Sequence, residues 1–245
     1  MTADIAIDAR GVWKIFGHRA EEALNAIHKQ GLSKADVLQE YECVVGVADA
    51  SFQIERGELF CVMAPSGSGK STLVRHVNRL LEPTAGQILI DGDDVVALGP
   101  DKLRDLRNRR VAMVFQSFGL LPHRTVRDNV AMPLEIRKVA KAKRWEEAER
   151  VLDLVELKGW EDKYAHELSG GMQQRVGLAR AIAADPDFLL MDEPFSALDP
   201  LIRKQLQDQF MELSQKLNKT TMFITHDLDE AIKIGSRIAI MKDGR

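Results

Sequence analysis

Short apolar runs alternate with longer stretches of helical period along most of this chain. Residues 12–16 and 44–54 carry β-branched and apolar side chains in runs of strand length, and both are read as strands. The segment between them, about 19–42, reads as helical. Ser33 followed by Asp36 makes a capping-box start, and Val37, Leu38 and Tyr41 then share one helical face. This segment is either a surface insertion or a docking or regulatory element. From Glu58 the pattern becomes strand 59–63, glycine-rich turn and helix 70–81. Residues 87–90 and 111–115 are further short apolar strands. The stretch 125–167 is helix-rich and highly charged. Its basic run 137–150 is read as a solvated helix face rather than a binding patch. Beyond it, a helix from about 171, strand 188–191, a helix from 201, strand 221–225, helix 228–234 and strand 237–241 alternate regularly. Such alternation predicts an α/β fold with a mostly parallel core sheet and helices on its faces.

Composition narrows the function classes. The 245 residues suffice for one large α/β domain, and a hydrophobic fraction of 45% supplies a sizeable core. Thirty-four basic residues against 37 acidic give a net charge of −3, which argues against a generic nucleic-acid binder. Two cysteines, Cys43 and Cys61, exclude a disulfide scaffold and suit a reducing compartment. No Cys or His pair has metal-ligand spacing. No run approaches the roughly 18 apolar residues of a membrane span. The start, Met1-Thr2-Ala3-Asp4, lacks the pattern of a signal peptide. Membrane association is therefore expected through a partner.

Ala64-Pro65-Ser66-Gly67-Ser68-Gly69-Lys70-Ser71-Thr72 follows a strand and opens a helix, the context of a phosphate-binding loop. Glycines let successive N–H groups curl toward a phosphate, and the helix N-terminus adds positive potential there. Ser66, Gly67, Ser68 and Gly69 are the expected cradle. Lys70 is expected at the β- and γ-phosphates, Ser71 on Mg²⁺ and Thr72 near the α-phosphate. Ala64 stands where the usual pattern has glycine, a departure that leaves 67–71 untouched. The strand 188–191 then ends in Asp192-Glu193. Strand C-termini in such folds face the ligand crevice. Asp192 is expected to hold Mg²⁺ and Glu193 to polarise the attacking water.

Leu168-Ser169-Gly170-Gly171-Met172-Gln173-Gln174-Arg175, standing shortly before the Asp192-Glu193 strand, resembles the signature motif of ATP-binding-cassette ATPases. Gln116 resembles that family's Q-loop residue, Ser196-Ala197-Leu198-Asp199 its D-loop, and His226 its switch histidine. Phe16 occupies the place of the aromatic that stacks on adenine; a lone Phe would more often be core. The resemblance covers essentially the whole chain. It implies a P-loop fold with a parallel core sheet, an antiparallel β subdomain and a helical subdomain at about 125–170, within one ATPase domain spanning 1–245. It implies ATP and Mg²⁺ as ligands, with catalytic roles for Lys70, Gln116, Glu193 and His226, and metal contacts from Ser71, Gln116 and Asp192. Ser169, Gly170 and Gly171 would serve the ATP of a second copy across a two-fold, head-to-tail dimer.

A narrower resemblance rests on the insertion at about 19–44, on 10–17, on Phe115-Gln116-Ser117-Phe118, on 195–203 and on 226–231. Together these look like the ATPase of quaternary-amine importers, whose usual substrates are glycine betaine and proline betaine. That implies membrane permease subunits as partners, a periplasmic or surface binding protein acting indirectly, no nucleic acid, and a peripheral place on the cytoplasmic face of the inner membrane. Phe118, Leu120 and Leu121 fit either contact with a permease helix or packing of the helical subdomain on the sheet. The subfamily usually continues past Gly244 and often carries C-terminal regulatory domains. This sequence stops at Arg245, so either those domains are absent or it is a fragment. The competing function is a soluble cassette ATPase acting on nucleic acid or ribosomes.

Overall fold

The computed structural model describes residues 4–245. The first three residues, part of the start tested above for a leader, lie outside them. The elements run β1 (Ile5–Phe16), α1 (Ala20–Gln30), α2 (Lys34–Tyr41), β2 (Val44–Glu55), β3 (Leu59–Met63), α3 (Lys70–Val77), β4 (Ala85–Ile90), β5 (Asp93–Asp94), α4 (Pro100–Asp105), β6 (Val111–Val114), α5 (Val126–Ile136), α6 (Lys141–Leu154), α7 (Gly170–Ala183), β7 (Phe188–Asp192), α8 (Pro200–Leu217), β8 (Thr220–Thr225), α9 (Leu228–Ile234) and β9 (Arg237–Ile240).

Two sheets organise them. One is antiparallel in the order β2-β1-β4-β5; the other, β6-β7-β8-β3-β9, is parallel throughout. The central strands β7 and β8 are buried at every position, as expected when helices cover both faces of a parallel sheet. One apolar cluster joins the antiparallel sheet to β3, β7, β8 and α3. A second joins α5, α6 and α7 to β7, α8 and the far face of the sheet. The loops at the carboxyl ends of β3, β6, β7 and β8 therefore open on one side, the usual ligand crevice of such sheets.

Three details differ from the sequence reading. β1 begins at Ile5 rather than at 12, because Gly11 (φ 54°) and a register shift between Ala9 and Val12 interrupt its alternation without ending it. α3 stops at Val77, short of 81: Arg79 turns left-handed, and the Asn78 side chain accepts the N–H of Leu80. In α2 the capping box of Ser33 and Asp36 is formed in both directions, and Val37 is buried, but Leu38 faces out. The two helices α1 and α2 pack on β1 and β2 as a small third core around Trp13, Ala23 and Val37.

The basic run is largely the solvated face expected, with Lys138, Lys141, Lys143 and Arg150 exposed, while its arginines also bond to neighbouring groups. Arg137 donates to the carbonyls of Asn108 (2.7 Å) and Ala184 (2.6 Å), Arg144 pairs with Glu135, and Arg150 with Glu147. Among the described residues no helix is long and apolar enough to cross a membrane.

Candidate active site

The loop between β3 and α3 is shaped by two glycines. Gly67 (φ 79°) faces open space. Gly69 (φ 92°) cannot be replaced: a Cβ there would lie 2.0 Å from the carbonyl oxygen of Gly46 in β2. The antiparallel sheet thus abuts the loop directly. Ala64 keeps an ordinary backbone and donates its N–H to the Thr225 carbonyl at 3.2 Å, so the departure from glycine strains nothing. Ser66 and Gly67 are exposed; Ser68 and Thr72 are half-buried. Lys70, the first residue of α3, is only 3% exposed, and its Nζ donates to the carbonyls of Ala64 (2.6 Å) and Pro65 (2.9 Å). The same ammonium lies 3.3 Å from Glu193 Oε1.

β7 delivers the two acids. Asp192 is buried; its Oδ1 accepts from Ser71 Oγ at 2.6 Å and its Oδ2 from Arg75 Nη2 at 3.1 Å. Glu193, one residue beyond the strand, has φ 46°, a left-handed conformation that costs a residue with a Cβ about 1–3 kcal/mol. Its N–H is held by the Ile224 carbonyl at 3.0 Å. Its Oε2 meets His226 Nδ1 at 2.8 Å, and because a carboxylate only accepts, Nδ1 carries the proton. Ser196 Oγ donates to the Glu193 carbonyl at 2.9 Å and accepts from Gln116 Nε2 at 3.1 Å. Gln116 therefore reaches the site through Ser196.

Lys70, Ser71, Asp192, Glu193, His226 and, through Ser196, Gln116 are brought together. Phe16 stands apart and is not core: its ring is partly exposed, lies against Gly46 and has Lys14 Nζ 5.2 Å from its centroid. Ser169 caps α7 by accepting the Met172 N–H. Gly170 faces Leu198 and Phe118, and Gly171 is closed in by Ile202, 2.6 Å from where its Cβ would be. Phe118 and Leu120 pack inward against the helical core, so the second reading of that loop holds for them. Beside them runs an apolar groove of about 320 Å³, lined in part by Met113, Phe115, Met132, Pro133 and Ile136.

Sequence reasoning missed the gripping arginines. Arg180 of α7 donates to the carbonyls of Phe118 (3.0 Å) and Gly119 (2.6 Å); burial pushes its pKa down. Arg203 of α8 donates to the carbonyls of Ser196 and Leu198. No motif marks Arg180, and Arg203 closes the 195–203 stretch without its contacts being readable there. Gly46 was findable, because a glycine inside a strand signals close backbone approach.

The donor set suits the expected ligands. A buried carboxylate and a hydroxyl at the start of a helix are hard oxygen donors of the kind Mg²⁺ takes. An ammonium, a helix N-terminus and a glycine cradle suit polyphosphate.

A phosphate-loop nucleotide-binding protein is the class that this fold and loop define. The chain belongs to the ABC transporter family, whose model matches residues 47–196. It is 52% identical over 240 residues to the glycine betaine transport ATP-binding protein OpuAA of Bacillus subtilis, covering 98% of this chain and 57% of that protein. Its identity to the glycine betaine/proline betaine transport system ATP-binding protein ProV of Escherichia coli is likewise 52%, covering 98% of this chain and 60% of that protein. With the trimethylamine N-oxide transport system ATP-binding protein TmoW of Pelagibacter ubique it shares 50% over 242 residues, covering 99% of this chain and 70% of that protein. The chain thus spans well under two thirds of the betaine-transport relatives' length. Among solved structures, the dimeric ABC transporter cassette MJ0796 superimposes with a TM-score of 0.81 at 30% identity, covering 97% of this chain and 95% of that one. The same cassette in a post-hydrolysis state bound to ADP and phosphate gives 0.80, with the same identity and coverage.

Proposed function

We propose that this chain is the ATP-hydrolysing subunit of a membrane importer for glycine betaine, proline betaine or a related quaternary amine. The observation that carries the hydrolytic reading is the convergence of Lys70 and His226 on Glu193, beside the Ser71–Asp192 pair. Lys70 exchanges its loop carbonyls for phosphate oxygens. Ser71 and Asp192, with Gln116 as a further contact, would hold Mg²⁺, which when bound would supply charge neutralisation to the phosphates. Glu193 orients the attacking water and takes its proton, a contribution of about 10²–10⁴-fold for a general base. His226 keeps the Glu193 carboxylate aimed. Phe16 stacks on the adenine. Ser66 to Gly69 and Thr72 line the phosphates. Ser169, Gly170 and Gly171 of a second copy close over the nucleotide with the N-terminus of α7.

The coupling partner is a permease helix seated in the groove beside the 116–122 loop, where Leu80 and Ile136 leave apolar surface exposed. The subunit then sits on the cytoplasmic face of the membrane through that permease, and a substrate-binding protein acts from the other side. The choice of substrate rests on the betaine-transport relatives; each relative reported above is named for small-molecule transport, and none supports the nucleic-acid or ribosome alternative. Vesicles reconstituted with the permease and this subunit test the proposal. ATP-driven uptake of glycine betaine that Glu193→Gln abolishes is expected. Uptake of trimethylamine N-oxide alone would reassign the substrate, and the absence of any magnesium-dependent ATP hydrolysis would overturn the enzymatic reading.

A further inference from the structure

Arg203, in the first turn of α8, grips two loops at once. Its Nη2 donates to the carbonyls of Leu198 (3.1 Å) and Ser196 (3.3 Å), and its Nη1 lies 3.5 Å from Asp227 Oδ2. Asp227 is itself fixed: its Oδ1 accepts the N–H groups of Asp229 (3.0 Å) and Glu230 (3.2 Å) and so caps α9. One turn along α8, Gln207 donates to Glu230 Oε1 at 2.9 Å in a buried contact. Residues four apart share a helix face, so Arg203 and Gln207 form one polar edge turned toward the loop after β8. A planar guanidinium can serve divergent acceptors at fixed angles, whereas an ammonium is a single point of charge.

The ends of this grip matter. Ser196 is the residue that joins Gln116 to the Glu193 carbonyl, and Asp227 is the neighbour of His226. Leu198 and Ile202 lie against Gly170 and Gly171. One guanidinium therefore connects the segment packed on the signature glycines to the segment that carries the switch histidine.

We infer that Arg203 is a positioning residue for hydrolysis: it locks the 196–199 loop to the His226 loop, so that the seating of this chain's signature segment on the second copy is passed to its own Glu193–His226 pair. The inference rests on the proposed two-copy ATPase. Arg203 does not approach the phosphate loop, so nucleotide affinity is independent of it. Turnover depends on it, because small misplacements of catalytic groups cost rates of about 10²-fold.

The test is steady-state ATP hydrolysis as a function of ATP, with equilibrium binding of a fluorescent ATP analogue. It compares wild type, Arg203→Ala, Arg203→Lys, Asp227→Asn and the Ala/Asn double variant. Arg203→Ala is expected to lower kcat by about 10- to 100-fold while the analogue's Kd stays within about twofold. It should also remove cooperativity in ATP. Arg203→Lys should restore only part of the rate. In the double variant, Asp227→Asn should cost far less than it costs alone. Wild-type rate and cooperativity in Arg203→Ala, additive losses, or a kcat loss matched by weaker binding and a lower Tm would each overturn the inference. Wild-type protein without activity, or Glu193→Gln as active as wild type, would instead remove the parent ATPase reading and this inference with it.

Discussion

Lys70 has two jobs that can be separated by measurement. Without nucleotide it holds the loop shut through the Ala64 and Pro65 carbonyls and sits beside Glu193, almost wholly buried. Lys70→Ala removes the three outer methylenes, worth about 0.8 kcal/mol each. It also removes hydrogen bonds from a charged donor, worth about 1.5–3 kcal/mol. Together these come to about 4–5 kcal/mol. At about 2–4 °C per kcal/mol for a chain of this size, Tm should fall by about 8–20 °C. Lys70→Met replaces the stem by an apolar chain of similar reach and should lose about half as much. A nucleotide at 100 times its Kd stabilises the folded state by about 2.7 kcal/mol, so MgATP should raise the wild-type Tm by about 5–11 °C and leave both variants unmoved. Thermal scans with and without MgATP decide both points. A Lys70→Ala variant as stable as wild type would refute the structural role, and one that keeps the full MgATP shift would refute the phosphate role.

Glu193→Gln should cut turnover by about 10²–10⁴-fold while MgATP binding persists, and size-exclusion chromatography with MgATP should trap a dimer. His76 donates from Nδ1 to the Leu81 carbonyl at 2.7 Å, its Nε2 is buried without a partner, and burial pushes its pKa below the usual histidine value of 6.5. The unfolded chain therefore binds a proton that the folded chain refuses. This contribution to stability is full above pH 6.5 and is lost as pH falls below it. Denaturant titrations between pH 8 and pH 5 should show a shallower slope for His76→Gln than for wild type. Gly171→Ala sets a Cβ 2.6 Å from the Cγ2 methyl of Ile202, a stiff β-branched side chain, so α7 and α8 must shift apart; the expected cost is about 1–3 kcal/mol, with weakened MgATP-dependent dimerisation rather than weakened nucleotide binding.

Much of the site was legible because its chemistry needs local patterns. A phosphate cradle requires glycines between a strand and a helix, and residues 64–72 display that requirement in one stretch. Asp192 and Glu193 were legible because the four residues of β7 before them, 188–191, are all apolar. The parallel sheet followed from alternation, and the capping box placed the start of α2. What stayed hidden depends on distant partners. Nothing near Arg203 or Arg180 in sequence tells which carbonyls they will meet, because those contacts come from how α7 and α8 dock. The inward turn of Phe118 depends on a left-handed φ of 57° that no apolar pattern encodes. The full length of β1 was masked by Asp8 and Arg10, which pair with each other on one face of the strand, and by the break at Gly11.

The left-handed backbone at Glu193 sets a limit on improving this protein. Glycine and asparagine tolerate that conformation at little cost, so a selection for heat resistance alone would be drawn to position 193. Either replacement relaxes the backbone and deletes the carboxylate that His226 and Lys70 converge on. Stability and turnover thus compete at a single residue. Thermostable variants that keep their activity should be sought in the apolar core of the helical layer, away from Glu193 and its partners.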